Sequence, residues 1–232
     1  MTESYLNRTQ AGRRLAERVA TLRLPMPVVM ALPRGGVPVA LEVARALRAP
    51  VDLAMVRKIG APGQPELAVG AVVDGDRHEV LLDEHLMAAT GADRAYIDGQ
   101  VRQALQEIER RRGIYLRGRR PTPLYGRSVV VVDDGIATGT TVKAVLRALR
   151  RMEPAQLVLA VPVAPPEAIA ELKTQVDAVV CLQQPECFHA VGAYYDDFTQ
   201  VGDEEVVRAL DEAETWLQPD AGASGAAAAA DV

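Results

Sequence analysis

The chain has 232 residues, 49% of them apolar and 25% charged, which suits one globular domain or at most two. A net charge of −5 and an aromatic content of 4% argue against a general nucleic-acid binder and against a surface that stacks on many bases. Two cysteines, Cys181 and Cys187, are too few for a disulfide framework or a four-cysteine zinc site. No apolar run reaches the roughly 18 residues of a membrane span, and no basic-then-apolar leader opens the chain, so a soluble cytoplasmic protein is expected.

In chain order, a helix is expected over about 8–22, with Leu15, Val19 and Leu22 on one side. PVVMAL is a short apolar run fit for a buried strand, and it ends in Pro33-Arg34-Gly35-Gly36. A helix follows, with Pro38 near its start and Val39, Val43 and Leu47 at four-residue spacing. VDLAMVRKIG, from Val51, reads as one strand, and Leu67 to Leu82 as a hairpin turning at Asp74-Gly75-Asp76. A long helix over about 93–117 buries Ile97, Val101, Ala104, Leu105 and Ile108. Ser128 to Val132 is the most apolar strand, and the helix after it carries Val142, Val145, Leu146 and Leu149. QLVLAVPV is a strand, Pro165-Pro166 open a helix with Ile169 and Leu172, DAVVCL is a strand, and Val206, Leu210, Ala213 and Leu217 mark a last helix. Residues 218–232, rich in Ala and Gly without apolar period, are expected to be a disordered tail.

Strands alternate with helices, and most strands are continuous apolar runs. That pattern indicates an α/β fold with a mainly parallel sheet covered on both faces. Ligands in such folds bind beyond the carboxyl ends of the strands, so the loops there carry the chemistry.

The most informative loop is in VVVVDDGIATGTT, residues 129–141. Asp133 and Asp134 stand where a buried strand leaves the core, and the small, hydroxylated run Gly135 to Thr141 leads straight into a helix. Backbone amides there, with the helix N-terminus and the hydroxyls of Thr138, Thr140 and Thr141, suit one phosphate. The acids would repel that phosphate, so they suit another part of the ligand: sugar hydroxyls or a hydrated metal. A P-loop needs Gly-Lys-Ser/Thr, but Thr140 follows Gly139, and a methyltransferase-type glycine loop is broken by Ala137.

This segment resembles the signature of type I phosphoribosyltransferases, which bind phosphoribosyl pyrophosphate (PRPP). Over about residues 20–215 the chain is similar to a bacterial branch of that family known as predicted phosphoribosyltransferases. The resemblance implies a three-layer sheet with helices on both faces and a small hood with a flexible hairpin. It implies one domain over 1–217, with hood elements at about 60–90 and 183–202. Asp133 and Asp134 would contact the ribose hydroxyls and hold Mg²⁺ through water, and Ala137, Thr138, Gly139, Thr140 and Thr141 would hold the 5′-phosphate. Arg34, Gly35 and Gly36 would form the pyrophosphate loop, often with a cis peptide. There, two glycines let amides approach an anion and Arg34 adds a fork of donors.

Arg57 and Lys58, ending the second strand, would join Arg34 in stabilising pyrophosphate as it leaves. The Gly/Pro-rich segment after them, including Glu66, would close over the site. Phe188, Tyr194, Tyr195 and Phe198 are four of nine aromatics, gathered within eleven residues, and Phe188 and Tyr194 are the candidates to face a base. His189 is a possible proton donor, and both cysteines read as small buried residues. Hypoxanthine- and guanine-using members carry an acid where Ala137 stands, which weakens that assignment. The expected activity is Mg²⁺-dependent transfer of phosphoribosyl from PRPP to a nitrogenous base. The alternatives are a non-catalytic PRPP-binding regulator and a methyltransferase. The expected partners are PRPP and a small acceptor, with no nucleic-acid polymer and no membrane, and the helix at 93–117 offers a surface for a homodimer. The bulk charge averages opposed regions: residues 94–127 carry nine Arg against three acids, and 183–217 nine acids against Arg208.

Overall fold

Runs of consecutive apolar residues are stable as strands only if both faces of the sheet are covered. The computed structural model, which describes residues 3–74 and 78–217, meets that condition. Strands β1 (Pro27–Ala31), β2 (Val51–Leu53), β6 (Ser128–Val132), β7 (Gln156–Val163) and β8 (Ala178–Gln183) form one sheet in the order β2-β1-β6-β7-β8. Every pairing in it is parallel. The pleat sends alternate residues to opposite faces. Val130 and Val132 pack with Leu15 and Val19 of α1 (Arg8–Ala20), Val39 and Val43 of α2 (Gly36–Leu47) and Leu210 of α7 (Asp203–Thr215). Val129 and Val131 pack with Val142 and Leu146 of α5 (Thr140–Arg151) and Leu172 of α6 (Pro166–Leu172).

A second, antiparallel sheet has the order β3-β4-β5, from Val56–Ala61, Gln64–Val73 and Glu79–Leu82. The apolar run from Val51, expected as one strand, is therefore two. Leu53 closes the pairing of β2 with β1, and three residues later the chain enters the other sheet. An apolar run does not record which sheet its residues join. The short helix α3 (Glu84–Thr90), capped by Asp83 and ended by Gly91 in the left-handed conformation, was not foreseen. The long helix α4 (Arg94–Tyr115) buries Ile97, Ala104 and Ile108, and its Tyr96 hydroxyl donates to Gly60 O at 2.9 Å, fastening the hairpin. The turn expected at 74–76 and the tail at 218–232 lie largely or wholly outside the described residues. Among the described residues, no helix is long and apolar enough to cross a membrane. Cys181 is half-buried, but Cys187 is exposed, correcting the expectation that both are buried.

Candidate active site

All strands of the main sheet point the same way, so the loops after β1, β6 and β8 gather at one edge. The ends of β1 and β6 are locked together by Leu32 N–H donating to Val132 O at 2.9 Å. The chain after β1 turns through Pro33-Arg34, which is a cis peptide, into Gly35 and Gly36. Both glycines are dictated by what stands behind them. A Cβ on Gly35 would lie 2.1 Å from Asp134 Oδ2, and one on Gly36 would lie 2.7 Å from Val132 O and 2.9 Å from Asp133 Cα. The Arg34-Gly35-Gly36 loop and the acid pair are thus in direct apposition, although about 100 residues separate them in sequence.

Asp133 Oδ1 accepts the Asp134 N–H at 2.9 Å. Burial first, then the neighbouring carboxylate of Asp134, push the Asp133 carboxyl well above its usual range. Burial also raises that of Asp134, against the lowering effect of Arg8. Two adjacent acids held where ionisation is disfavoured form a place for cationic or hydroxyl-bearing ligands.

Beyond the acids, Ile136 plugs into the core and its N–H donates to Val163 O at 2.9 Å. Gly135 passes so close to Val191 that a Cβ would lie 2.5 Å from its Cγ1. Gly139, at φ +74, turns the chain into α5, whose N-terminus has no side-chain cap. Its first-turn amides have no partners within the helix and are available to an anion. Thr138 and Thr140 are partners at this mouth, with their hydroxyl oxygens 3.4 Å apart.

Arg34 reaches Asp203, the first residue of α7, at 3.4 Å. Asp203 in turn accepts the Tyr115 hydroxyl at 2.6 Å. That hydrogen bond and Arg34 hold the Asp203 carboxyl below its ordinary value. The Tyr115 phenol, buried and facing this carboxylate, is pushed up to about 12. Between its ordinary value near 10 and about 12, the folded phenol keeps a proton that the unfolded one loses. Its contribution to stability is complete below pH 10 and is lost as pH rises toward 12. A falling denaturation midpoint over that window is expected, with a shallower fall in Tyr115→Phe. Tyr195, also raised by burial, adds a slope of the same sign.

The remaining candidates are distributed as follows. Arg57 and Lys58 lie next to each other on β3, so the pleat sends them to opposite faces, Arg57 with Ile59 and Lys58 with Val56. Both are exposed, and they belong to the second sheet rather than to the sheet that carries the acids. Tyr194 is buried, stacked on half-buried Phe188 with ring centroids 5.6 Å apart, and its hydroxyl donates to Cys187 O. His189 is exposed. The Tyr195 hydroxyl donates to Asp134 O at 2.5 Å, and Phe198 lies against an arginine.

That arginine is Arg8, in the first turn of α1, and sequence reasoning missed it. Its Nε donates to Asp134 Oδ2 at 2.8 Å, its Nη1 to Thr199 O at 2.8 Å, and its guanidinium lies 3.9 Å from the Phe198 ring centroid. The N-terminal arm is carried there by backbone pairing with the hood: Tyr5 N–H donates to Tyr194 O, and Asp196 and Asp197 N–H donate to Tyr5 O and Leu6 O. Asp203 and Tyr115 were missed as well. The only local signal for Asp203 was the acid-rich start of the last helix.

The acid pair, the uncapped helix N-terminus and the glycine loop thus stand together at the strand ends of a three-layer α/β fold. The family model described as "Phosphoribosyl transferase domain" matches residues 2–199, and the chain belongs to that family. It is 48% identical over 223 residues to the Mycobacterium tuberculosis protein named "Putative phosphoribosyl transferase Rv0571c", covering 96% of this chain and 49% of that one. The chain thus spans about half the length of the curated relatives it matches. The crystal structure of TT1426 from Thermus thermophilus is 44% identical, with a TM-score of 0.79, and the match covers 90% of this chain and 98% of that one.

Proposed function

We propose that the chain transfers the phosphoribosyl group of PRPP to a nitrogenous acceptor, with release of pyrophosphate and in a Mg²⁺-dependent manner. The observation that carries this reading is the apposition of Gly35 and Gly36 to Asp133 and Asp134, beside the uncapped start of α5. It sets an amide-rich loop directly against an acid pair, and the chain runs from those acids into the uncapped start of α5, which supports one phosphorylated sugar as the ligand.

Amides at 138–141 and the hydroxyls of Thr138, Thr140 and Thr141 receive the 5′-phosphate. Asp133 and Asp134 accept hydrogen bonds from the ribose hydroxyls. Arg34, with amides of Gly35 and Gly36, receives the pyrophosphate, and Lys58 adds charge as the hairpin approaches. The C1–O bond to pyrophosphate breaks while a bond from C1 to the acceptor nitrogen forms, and the acceptor's N–H proton passes to water or to the departing pyrophosphate. Positioning and leaving-group stabilisation supply the rate, with no covalent nucleophile.

The donor set suits Mg²⁺. Two adjacent half-buried carboxylates lack the further His, Cys, Asp or Glu that a full protein cage needs among the described residues. Mg²⁺ characteristically takes one or two carboxylates, water and substrate phosphate oxygens. Asp133 and Asp134 would hold it through water. Bound there, it supplies neutralisation of the departing pyrophosphate.

The acceptor side is the hood, where half-buried Phe188 is the ring candidate to face a base and Tyr194 supports it from beneath. The test is pyrophosphate release from PRPP by the full chain with a panel of purine and pyrimidine bases and Mg²⁺. Release with at least one base is expected. PRPP binding without release for any acceptor would favour a PRPP-binding regulator, and no PRPP binding would overturn the reading.

A further inference from the structure

Asp134 is held from three sides, and all three holds come from parts of the chain far away in sequence. Its Oδ2 is wedged between the Gly35 backbone, where a Cβ would lie 2.1 Å away, and the Nε of Arg8 at 2.8 Å. Its carbonyl oxygen accepts the Tyr195 hydroxyl. Arg8 and Asp134 are 126 residues apart, and their side chains are only 11% and 13% exposed. A buried guanidinium is costly unless each part of it is matched. Here one nitrogen meets the carboxylate, another meets Thr199 O, and the planar face lies on Phe198. The fork geometry does what a point charge does not: it joins the acid to the 198–199 segment and fixes which carboxylate oxygen is occupied. With Oδ2 pinned, the rotation of the carboxylate is set.

We infer that Arg8 is a positioning residue for the transfer: it orients the Asp134 carboxylate toward PRPP and couples that acid to the hood that takes the acceptor. The inference rests on the proposed PRPP reading. It assigns the N-terminal arm a part in the site. Tyr5 and Leu6 bring Arg8 in by pairing with residues 194–197, so an intact arm is a condition for a correctly oriented Asp134.

The test is calorimetric titration of Mg²⁺–PRPP into the full-length wild type, Arg8→Lys, Arg8→Gln, Asp134→Asn and the Arg8→Gln/Asp134→Asn double variant, with melting midpoints measured alongside. Losing a charge-assisted hydrogen bond at a buried carboxylate is expected to weaken PRPP binding by about 10- to 100-fold in Arg8→Gln. Arg8→Lys, which keeps the charge and loses the fork, is expected to recover part of that loss. The double variant is expected to bind no more weakly than Asp134→Asn alone, because Arg8 acts through Asp134. A strut that only stiffens the hood would lower the midpoint and leave the affinity unchanged, and that result overturns the inference. So do losses that multiply in the double variant, and so does tighter binding by Arg8→Gln, which would make Arg8 a competitor of the ribose. Should Arg8→Gln fail to fold, Arg8→Lys carries the comparison: wild-type affinity in it overturns the inference. Absence of PRPP binding by the folded wild type sinks the functional reading and this inference together, whereas wild-type binding with an unaffected Arg8→Gln sinks the inference alone.

Discussion

Replacing both acids, Asp133→Asn with Asp134→Asn, is expected to lower PRPP-dependent pyrophosphate release by about 100-fold or more, the scale of removing preorganised charge from a reacting site. The folded structure is expected to survive, because neither carboxylate contributes to the apolar core. The single variants differ. Asp133→Asn keeps the Oδ1 acceptor for the Asp134 N–H and leaves the Arg8–Asp134 pair in place. It removes the carboxyl whose ionisation burial and the neighbouring acid oppose. Its melting midpoint is expected to rise, by about 2–4 °C for each kcal/mol relieved in a chain of this size, while turnover falls. Asp134→Asn leaves a buried guanidinium facing a neutral amide, so its midpoint is expected to fall. Opposite movements of two adjacent, chemically identical substitutions are a sharp readout. A lower midpoint for Asp133→Asn would mean that the acid is a structural part of the loop, and unchanged release in the double variant would remove the acids from the chemistry.

The architecture was legible because its signal is local. VVVVDD says at once that both faces of a strand are buried and that the burial ends at the acids. The valine alternation between the α1/α2 face and the α5/α6 face is the physical content of that run. Pro166 opening α6 and Pro38 in the first turn of α2 are equally local. The division of residues 51–61 between two sheets was not legible, since the same hydrophobicity serves either sheet. The short helix α3, with no buried residue of its own, left no apolar period to detect.

The site divides along the same line. The cradle and acid pair form one contiguous segment, and sequence displays them together. The glycine loop was placed by its position after the first strand. What remained hidden was every contact made by distant pairing: Arg8 with Asp134, Tyr195 with the Asp134 carbonyl, and Asp203 with Tyr115 and Arg34. An arginine in the first turn of a helix resembles any surface arginine until the arm before it is seen paired to residues 194–197. The aromatic cluster was visible as a cluster, but its internal packing was not. Tyr194 and Tyr195 are buried among other rings, and Phe198 carries a cation on its face.

Gly35→Ala is the second substitution with a large expected effect, and the backbone is not the reason. Gly35 sits at φ −60 and ψ −36, a conformation alanine adopts readily, so the substitution would ordinarily stabilise the chain by reducing unfolded-state freedom. Here the added methyl would stand 2.1 Å from Asp134 Oδ2 and 2.7 Å from Cγ. The Asp134 side chain is short and pinned by Arg8, so it has little room to give way. Either the carboxylate swings and the ion pair breaks, or the loop retreats from the acids. The expected cost is about 1–3 kcal/mol of overpacking. Displacement of the acid is also expected to weaken Mg²⁺–PRPP binding by about 100-fold, since a buried carboxylate loses its charge-assisted partner. Truncating the obstructing side chain separates the two effects. Gly35→Ala with Asp134→Ala is expected to be no less stable than Asp134→Ala alone, because the clashing atoms are gone and the unpaired Arg8 is common to both, while PRPP binding stays lost. Gly36→Ala admits no such relief: its methyl would meet Val132 O and Asp133 Cα, backbone atoms at the end of the central strand. Melting midpoints and PRPP calorimetry on the set decide the matter. A Gly35→Ala protein with wild-type midpoint and wild-type affinity would show that the loop and the acids are not in apposition, and the proposed PRPP site would have to be given up.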